Sequence, residues 1–205
     1  MATTASPYGF VPVKKADGTP YAGARDSFLI DPDGVSQNIG YGSVVEIAAG
    51  YVQLASGTGA DATTNNLGGS SIGALGVFVG CEYVNSEGQL IFAQYYPSGT
   101  TGATAYVVTD PGVTFQVQAD ASVAQTALGH NAPLTGAQHA TTSVNTTTGK
   151  SNVALDATTA TGTKAFKIIG FSTRAGQSAI GDTATDVLVK FNLPYHQFGT
   201  GIVGE

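Results

Sequence analysis

The sequence predicts an all-β fold, an antiparallel β-barrel or sandwich with an extended N-terminal arm and long loops. Three observations carry that prediction. Only 11% of the 205 residues are charged, while Gly, Thr, Ala, Ser and Val dominate, the reverse of the Glu-, Lys- and Leu-rich profile of helical proteins. Short β-branched and aromatic runs recur between clusters of turn-forming residues. Val113, Phe115, Val117 and Ala119 alternate with Thr114, Gln116 and Gln118, the period-2 pattern of a strand with one wetted face. No fixed-period repeat of a solenoid or propeller is visible.

Residues 1–25 hold Pro7, Pro12 and Pro20 with Gly9, Gly18 and Gly23, and they read as an extended arm. Tyr8, Phe10, Val11 and Val13 make it too apolar for a free tail. It either covers the chain's own sheet edge or contacts another subunit. Residues 26–193 form the β domain, divisible into sub-parts 26–120 and 121–193. Strands are expected at 28–30, 44–47 and 51–54, the last two joined by Ala48-Ala49-Gly50 as a short hairpin. Residues 56–74 are small and polar and read as a surface loop.

The richest apolar segment follows, with runs at 75–84 and 89–96 joined by Asn85-Ser86-Glu87-Gly88, a hairpin signal that places the core here. Asp110-Pro111-Gly112 is a turn between strands at 106–109 and 113–119. Residues 120–128 read as the one helix, capped by Asp120 or Ser122 and ended by Gly129. Residues 135–163 read as loop or exposed edge strand. Strands at 166–171 and 187–193 bring the expected number to about nine. Residues 194–205 form a C-terminal tail whose Tyr195 and Phe198 are aromatic outside any sheet.

The net charge of -6 is unevenly spread: no Lys or Arg lies between Arg25 and Lys150, while nine acidic residues do. Phosphate contacts require clustered cations, so DNA or RNA binding by residues 26–149 is physically unpromising. A single cysteine, Cys81, permits neither an intramolecular disulfide nor a thiolate-built zinc site. The first residues carry no signal-peptide pattern, and no apolar run approaches the length of a bilayer span. The expectation is a soluble chain made in the cytoplasm, with no membrane partner and no cofactor.

No catalytic or metal-ligating set emerges from the motifs. Gly69-Ser70-Ser71-Ile72-Gly73 matches the nucleophile-elbow spacing, but that motif needs a strand before its serine and a helix after it. His130, His139 and His196 read as surface histidines of loops without a carboxylate at triad spacing. Asp31-Pro32-Asp33-Gly34 opens like a calcium loop and lacks the later ligands. Cys81 sits in an apolar strand and reads as a buried, inert thiol. Glu46, Glu82 and Glu87 read as solvated strand-edge acids; a glycosidase needs two of them facing each other across a cleft.

Three runs resemble a family of tailed-bacteriophage virion proteins, the capsid decoration, cement or head structural proteins. They are Pro7-Tyr8-Gly9-Phe10-Val11-Pro12-Val13, Gly76-Val77-Phe78-Val79-Gly80-Cys81-Glu82-Tyr83 and Asp110-Pro111-Gly112-Val113-Thr114-Phe115-Gln116-Val117-Gln118. The resemblance implies a β-rich, non-catalytic subunit on the exterior of the virion capsid. Its partner there is the major capsid protein, and it is often a homo-trimer at symmetry axes. Tyr8, Phe10, Val11, Pro12, Tyr195 and Phe198 are then the candidate interface anchors, because aromatics carry much of the binding energy of interfaces. The alternatives are a tail or head-fibre module that binds a receptor or carbohydrate, and a small hydrolase.

Overall fold

The computed structural model describes residues 5–55, 73–135, 143–159, 161, 164–172 and 178–198. It is all-β and antiparallel, two large packed sheets rather than a closed barrel, with two further two-stranded pairs, at 39–40 with 95–96 and at 144–145 with 150–151. In chain order the strands are β1 (Val11–Lys14), β2 (Asp26–Leu29), β3 (Ile39–Gly40), β4 (Val44–Ala48), β5 (Tyr51–Leu54), β6 (Gly76–Val84), β7 (Leu90–Ala93) and β8 (Tyr95–Tyr96). They continue as β9 (Thr104–Val108), β10 (Thr114–Gln118), β11 (Asn131–Ala132), β12 (Val144–Asn145), β13 (Lys150–Ser151), β14 (Phe166–Phe171) and β15 (Asp186–Phe191). The predicted hairpin at 44–54 is present as β4–β5; that at 75–96 is present as β6–β7 only as far as Ala93, because Tyr95–Tyr96 leave β6 and pair with β3.

Sheet I has the order β1-β10-β15-β14-β11. Sheet II has the order β2-β9-β6-β4-β5, and β7 also pairs with the far half of the long strand β6. Sheet II therefore comes from residues 26–108, whereas sheet I joins the N-terminal segment to strands after residue 113. Its outer strands approach at one parallel bridge, Ile30 with Val52, so the sheet curls over a core containing Ile39, Val45, Leu75, Phe78, Tyr96 and Val107. The other core lies between the sheets. There Phe115, Phe166, Val189 and Phe191 of sheet I meet Val44, Val77 and Val108 on the back of sheet II.

The N-terminal segment is part of that second core and not a projecting arm. Phe10 is fully buried, stacked on Phe166 at 4.7 Å and edge-on to Phe115 at 6.3 Å. The backbone reaches this place through a close crossing at Gly9 and Gly42, where Phe10 N–H donates to the Gly42 carbonyl at 2.9 Å. A Cβ on Gly42 would sit 2.7 Å from the Phe10 nitrogen, so both the crossing and its positive φ of 86° require glycine. Val11 and Pro12 then pair with Gln116 and Phe115 of β10, and the segment covers the chain's own sheet edge.

Three further expectations are corrected. The polar face of β10 is not wetted: Thr114, Gln116 and Gln118 are buried, and residues before β1 meet this face, Tyr8 bonding Gln116 and Ser6 bonding Gln118. No helix forms at 120–128; only a 3-10 turn, Gln125–Ala127, is present. The capping groups are committed elsewhere, since the Asp120 carboxylate accepts the Ala157 N–H and Ser122 Oγ donates to the Gly181 carbonyl. Within 135–163, Val153 and Leu155 are fully buried, and Leu155 bridges Ala119 and Leu134.

Candidate functional site

The candidate anchors fall into two groups. Tyr8 and Phe10 serve the fold. The Tyr8 hydroxyl donates to Asp186 Oδ1 at 2.6 Å and accepts from Gln116 Nε2 at 2.7 Å. Ser178 satisfies the other carboxylate oxygen of this buried aspartate through its N–H and hydroxyl. Such a network fixes the N-terminal segment, because each buried polar group in it depends on its neighbours. Phe10 lies in the core, while Tyr8, Val11 and Pro12 are half-buried. The side chain of Tyr195 lies outside the description, as do Ser71 and His139. Phe198 alone of the six is described as largely exposed, at 58%.

His196 is a correction. It is fully buried rather than on the surface, edge-on to Phe191 at 5.4 Å. Burial lowers its pKa, while Asp110 and the carbonyls of Thr109 and Leu75 pull the other way. Its Nδ1 accepts the Phe198 N–H at 3.2 Å, which makes Nε2 the protonated nitrogen of the neutral ring. Gln197 clamps β4 by bonding both the N–H and the carbonyl of Ile47.

The acids have separate partners. Glu46 is buried, against expectation, and accepts from Gln53 Nε2 at 3.0 Å. Glu82 accepts the Tyr106 hydroxyl at 2.8 Å, and Glu87 is exposed in the β6–β7 turn. Asp31 uses its carboxylate on the Asp33 N–H of its own turn. Among the described residues no three His, Cys, Asp or Glu side chains converge. Cys81 is buried as expected, and desolvation pushes its thiol up to about 12.

What the structure does assemble is an open apolar face. Sheet I covers only one end of the back of sheet II, where Val44, Val77 and Val108 lie. At the other end, cross-strand register places Leu29, Thr104, Glu82 and Phe92 in one row over four strands, with Val84 and Leu90 paired in the next. Leu29, Val84, Leu90 and Phe92 are 61, 54, 58 and 68% exposed. Isolated exposed apolar residues are ordinary; here four share one sheet face.

A groove of about 290 Å³ adjoins Phe92 on this face, lined also by Arg25, Gly80, Gln94 and Tyr106. A β-bulge at Val79 and Gly80 forms its floor. Gly80 has φ of 141°, and a Cβ there would lie 3.0 Å from the Ala93 carbonyl oxygen, so glycine is what keeps the floor open. The Arg25 guanidinium stands 4.0 Å from the centre of the Tyr106 ring, a cation–π contact that holds it at the rim.

A scan against protein-family models finds no match, and searches of curated proteins and of solved structures find none either.

Proposed function

We propose that the chain is a structural subunit of a tailed-bacteriophage head, a decoration or cement protein that binds the outer surface and braces neighbouring coat subunits. The observation that carries this reading is the open apolar face of sheet II, a rigid patch of Leu29, Val84, Leu90 and Phe92 left uncovered by the chain's own second sheet. The three runs that resemble head structural proteins supply the class of assembly. Two of them, around Phe10 and Phe115, build strands of sheet I, and the third builds most of β6, a strand of the open face. A patch of this size gives a weak contact alone; a homo-trimer on a symmetry axis multiplies it. Gold-labelled antibody against the purified chain, applied to virions from the culture that makes it, tests the proposal. Many labels on each head are expected, and labels confined to tails, or on no particle, overturn it.

The groove favours a second reading, a carbohydrate-binding fibre module. The rings of Phe92 and Tyr106 offer faces for a sugar, and Arg25 and Gln94 offer hydrogen bonds. Tail labelling together with saccharide-dependent shifts of Arg25 and Tyr106 resonances is what that reading requires.

A further inference from the structure

We propose that the free edge of β7 accepts an extended polypeptide segment of the partner as an added strand, and that this segment carries Lys or Arg beside alternating apolar residues. The adhesive reading above supplies the partner; the mode of binding follows from the hairpin itself. Asn85 N–H donates to the Gln89 carbonyl at 2.9 Å, which makes this pair the hydrogen-bonded closing pair of the hairpin. Hydrogen-bonded and open pairs alternate from there. Ile91 and Ala93, opposite Tyr83 and Cys81, turn their backbone groups toward β6. Leu90 and Phe92 turn theirs away, and among the described residues β7 pairs with no strand but β6.

Such an edge is a template for another strand, and proteins ordinarily guard it with Pro, Lys or a bulge. The outer strand of sheet I is guarded in all three ways, by Pro12, by Lys14 and by the register shift between them. The edge of β7, Leu90-Ile91-Phe92-Ala93, has none of these. An added strand would gain backbone bonds from Leu90 and Phe92 and lay alternate side chains against their exposed side chains.

Charge selects the occupant. The strands of sheet II lie in residues 26–108, which contain no Lys or Arg. Glu82 is the cross-strand neighbour of Phe92 and Glu87 occupies the hairpin turn, while the cation that lines the groove beside Phe92, Arg25, is held over the Tyr106 ring. Pairing two copies through β7 would bring acidic sheet against acidic sheet. A Lys- or Arg-flanked strand meets the opposite charge.

Amide hydrogen exchange of the full chain by NMR tests this, with the peptide Lys-Val-Thr-Val-Thr-Val-Lys as probe and its Glu-flanked counterpart as control. The basic peptide is expected to slow the Leu90 and Phe92 amides about tenfold, the acidic peptide to leave them unchanged. Phe92→Lys is expected to abolish the slowing while Ile91 and Ala93 stay protected, which shows the hairpin intact. No slowing at Leu90 and Phe92, or equal slowing by both peptides, overturns the proposal. Slowing that grows with protein concentration without peptide also overturns it, in favour of self-pairing. None of these readings uses heads, so failure of the antibody test and failure of this one are separate results.

Discussion

The N-terminal segment and the β6–β7 hairpin are both short, aromatic and apolar, and they end in opposite environments. Phe10 is fully buried, while Phe92 is 68% exposed. The difference lies in what surrounds each. Phe10 is followed by Pro12 and Lys14, which blunt the edge of β1, and its neighbour Tyr8 finds a buried aspartate. Phe92 lies beyond the rim of sheet I, where the back of sheet II runs out from under its cover. Apolar content alone does not distinguish a core residue from an adhesive one; the position of the covering sheet does.

The sharpest way to break the comparison is Phe10→Ala. Loss of a fully buried aromatic costs about 3–5 kcal/mol, read as a lower midpoint in urea unfolding; an unchanged midpoint would return Phe10 to the surface. Tyr8→Phe removes one hydroxyl that serves both Asp186 and Gln116, and its expected cost is about 1–3 kcal/mol. In the same melts Phe92→Lys is expected to stay within about 0.5 kcal/mol of the parent, as substitutions on exposed sites do.

His196 adds a pH dependence to the segment that closes the fold. Its pKa is lowered in the folded chain, chiefly by burial. Above the ordinary value near 6.5 both states are neutral and it contributes no slope. As pH falls below that value the unfolded chain takes up the proton first, so stability declines until the folded-state pKa is passed. Thermal melts from pH 7.5 to 5 should therefore show a smaller fall for His196→Asn than for the parent. A parallel fall in both would remove His196 as its source. Smallest in effect is Ala49, at φ 50° beside Gly50 at φ 80° in the two-residue β4–β5 turn, a geometry that needs positive φ at both positions. Ala49→Gly is expected to raise stability by about 0.5–1 kcal/mol, measured by denaturant unfolding.

The local devices were legible in the residues. Asn85-Ser86-Glu87-Gly88 and Asp110-Pro111-Gly112 encode their turns in side-chain and backbone chemistry that needs no distant partner, and both turns are present. Nonlocal contacts were not legible. The alternation of residues 113–119 reports two chemically different faces, but burial of Gln116 and Gln118 depends on residues 108 and 112 positions earlier. The caps expected for a helix at 120–128 were claimed by residues 157 and 181. His196 looked like a tail residue because nothing near it in sequence reveals Phe191 beneath it.

The open face was hidden for a similar reason. Leu90-Ile91-Phe92-Ala93 is uninterrupted apolar sequence, the pattern of a strand buried on both faces. Sheet I stops short of it, and only three-dimensional register shows that Leu90 and Phe92 share a face with Val84 and Leu29. Of the N-terminal anchors Phe10, an aromatic outside an evident strand, completes the core.

The decisive measurement is co-sedimentation with heads stripped of this protein, comparing the parent chain with Phe92→Lys and Leu90→Lys. The account predicts that the parent pellets with the heads while both variants remain in the supernatant with unchanged melting curves. Variants that pellet as fully as the parent would contradict it.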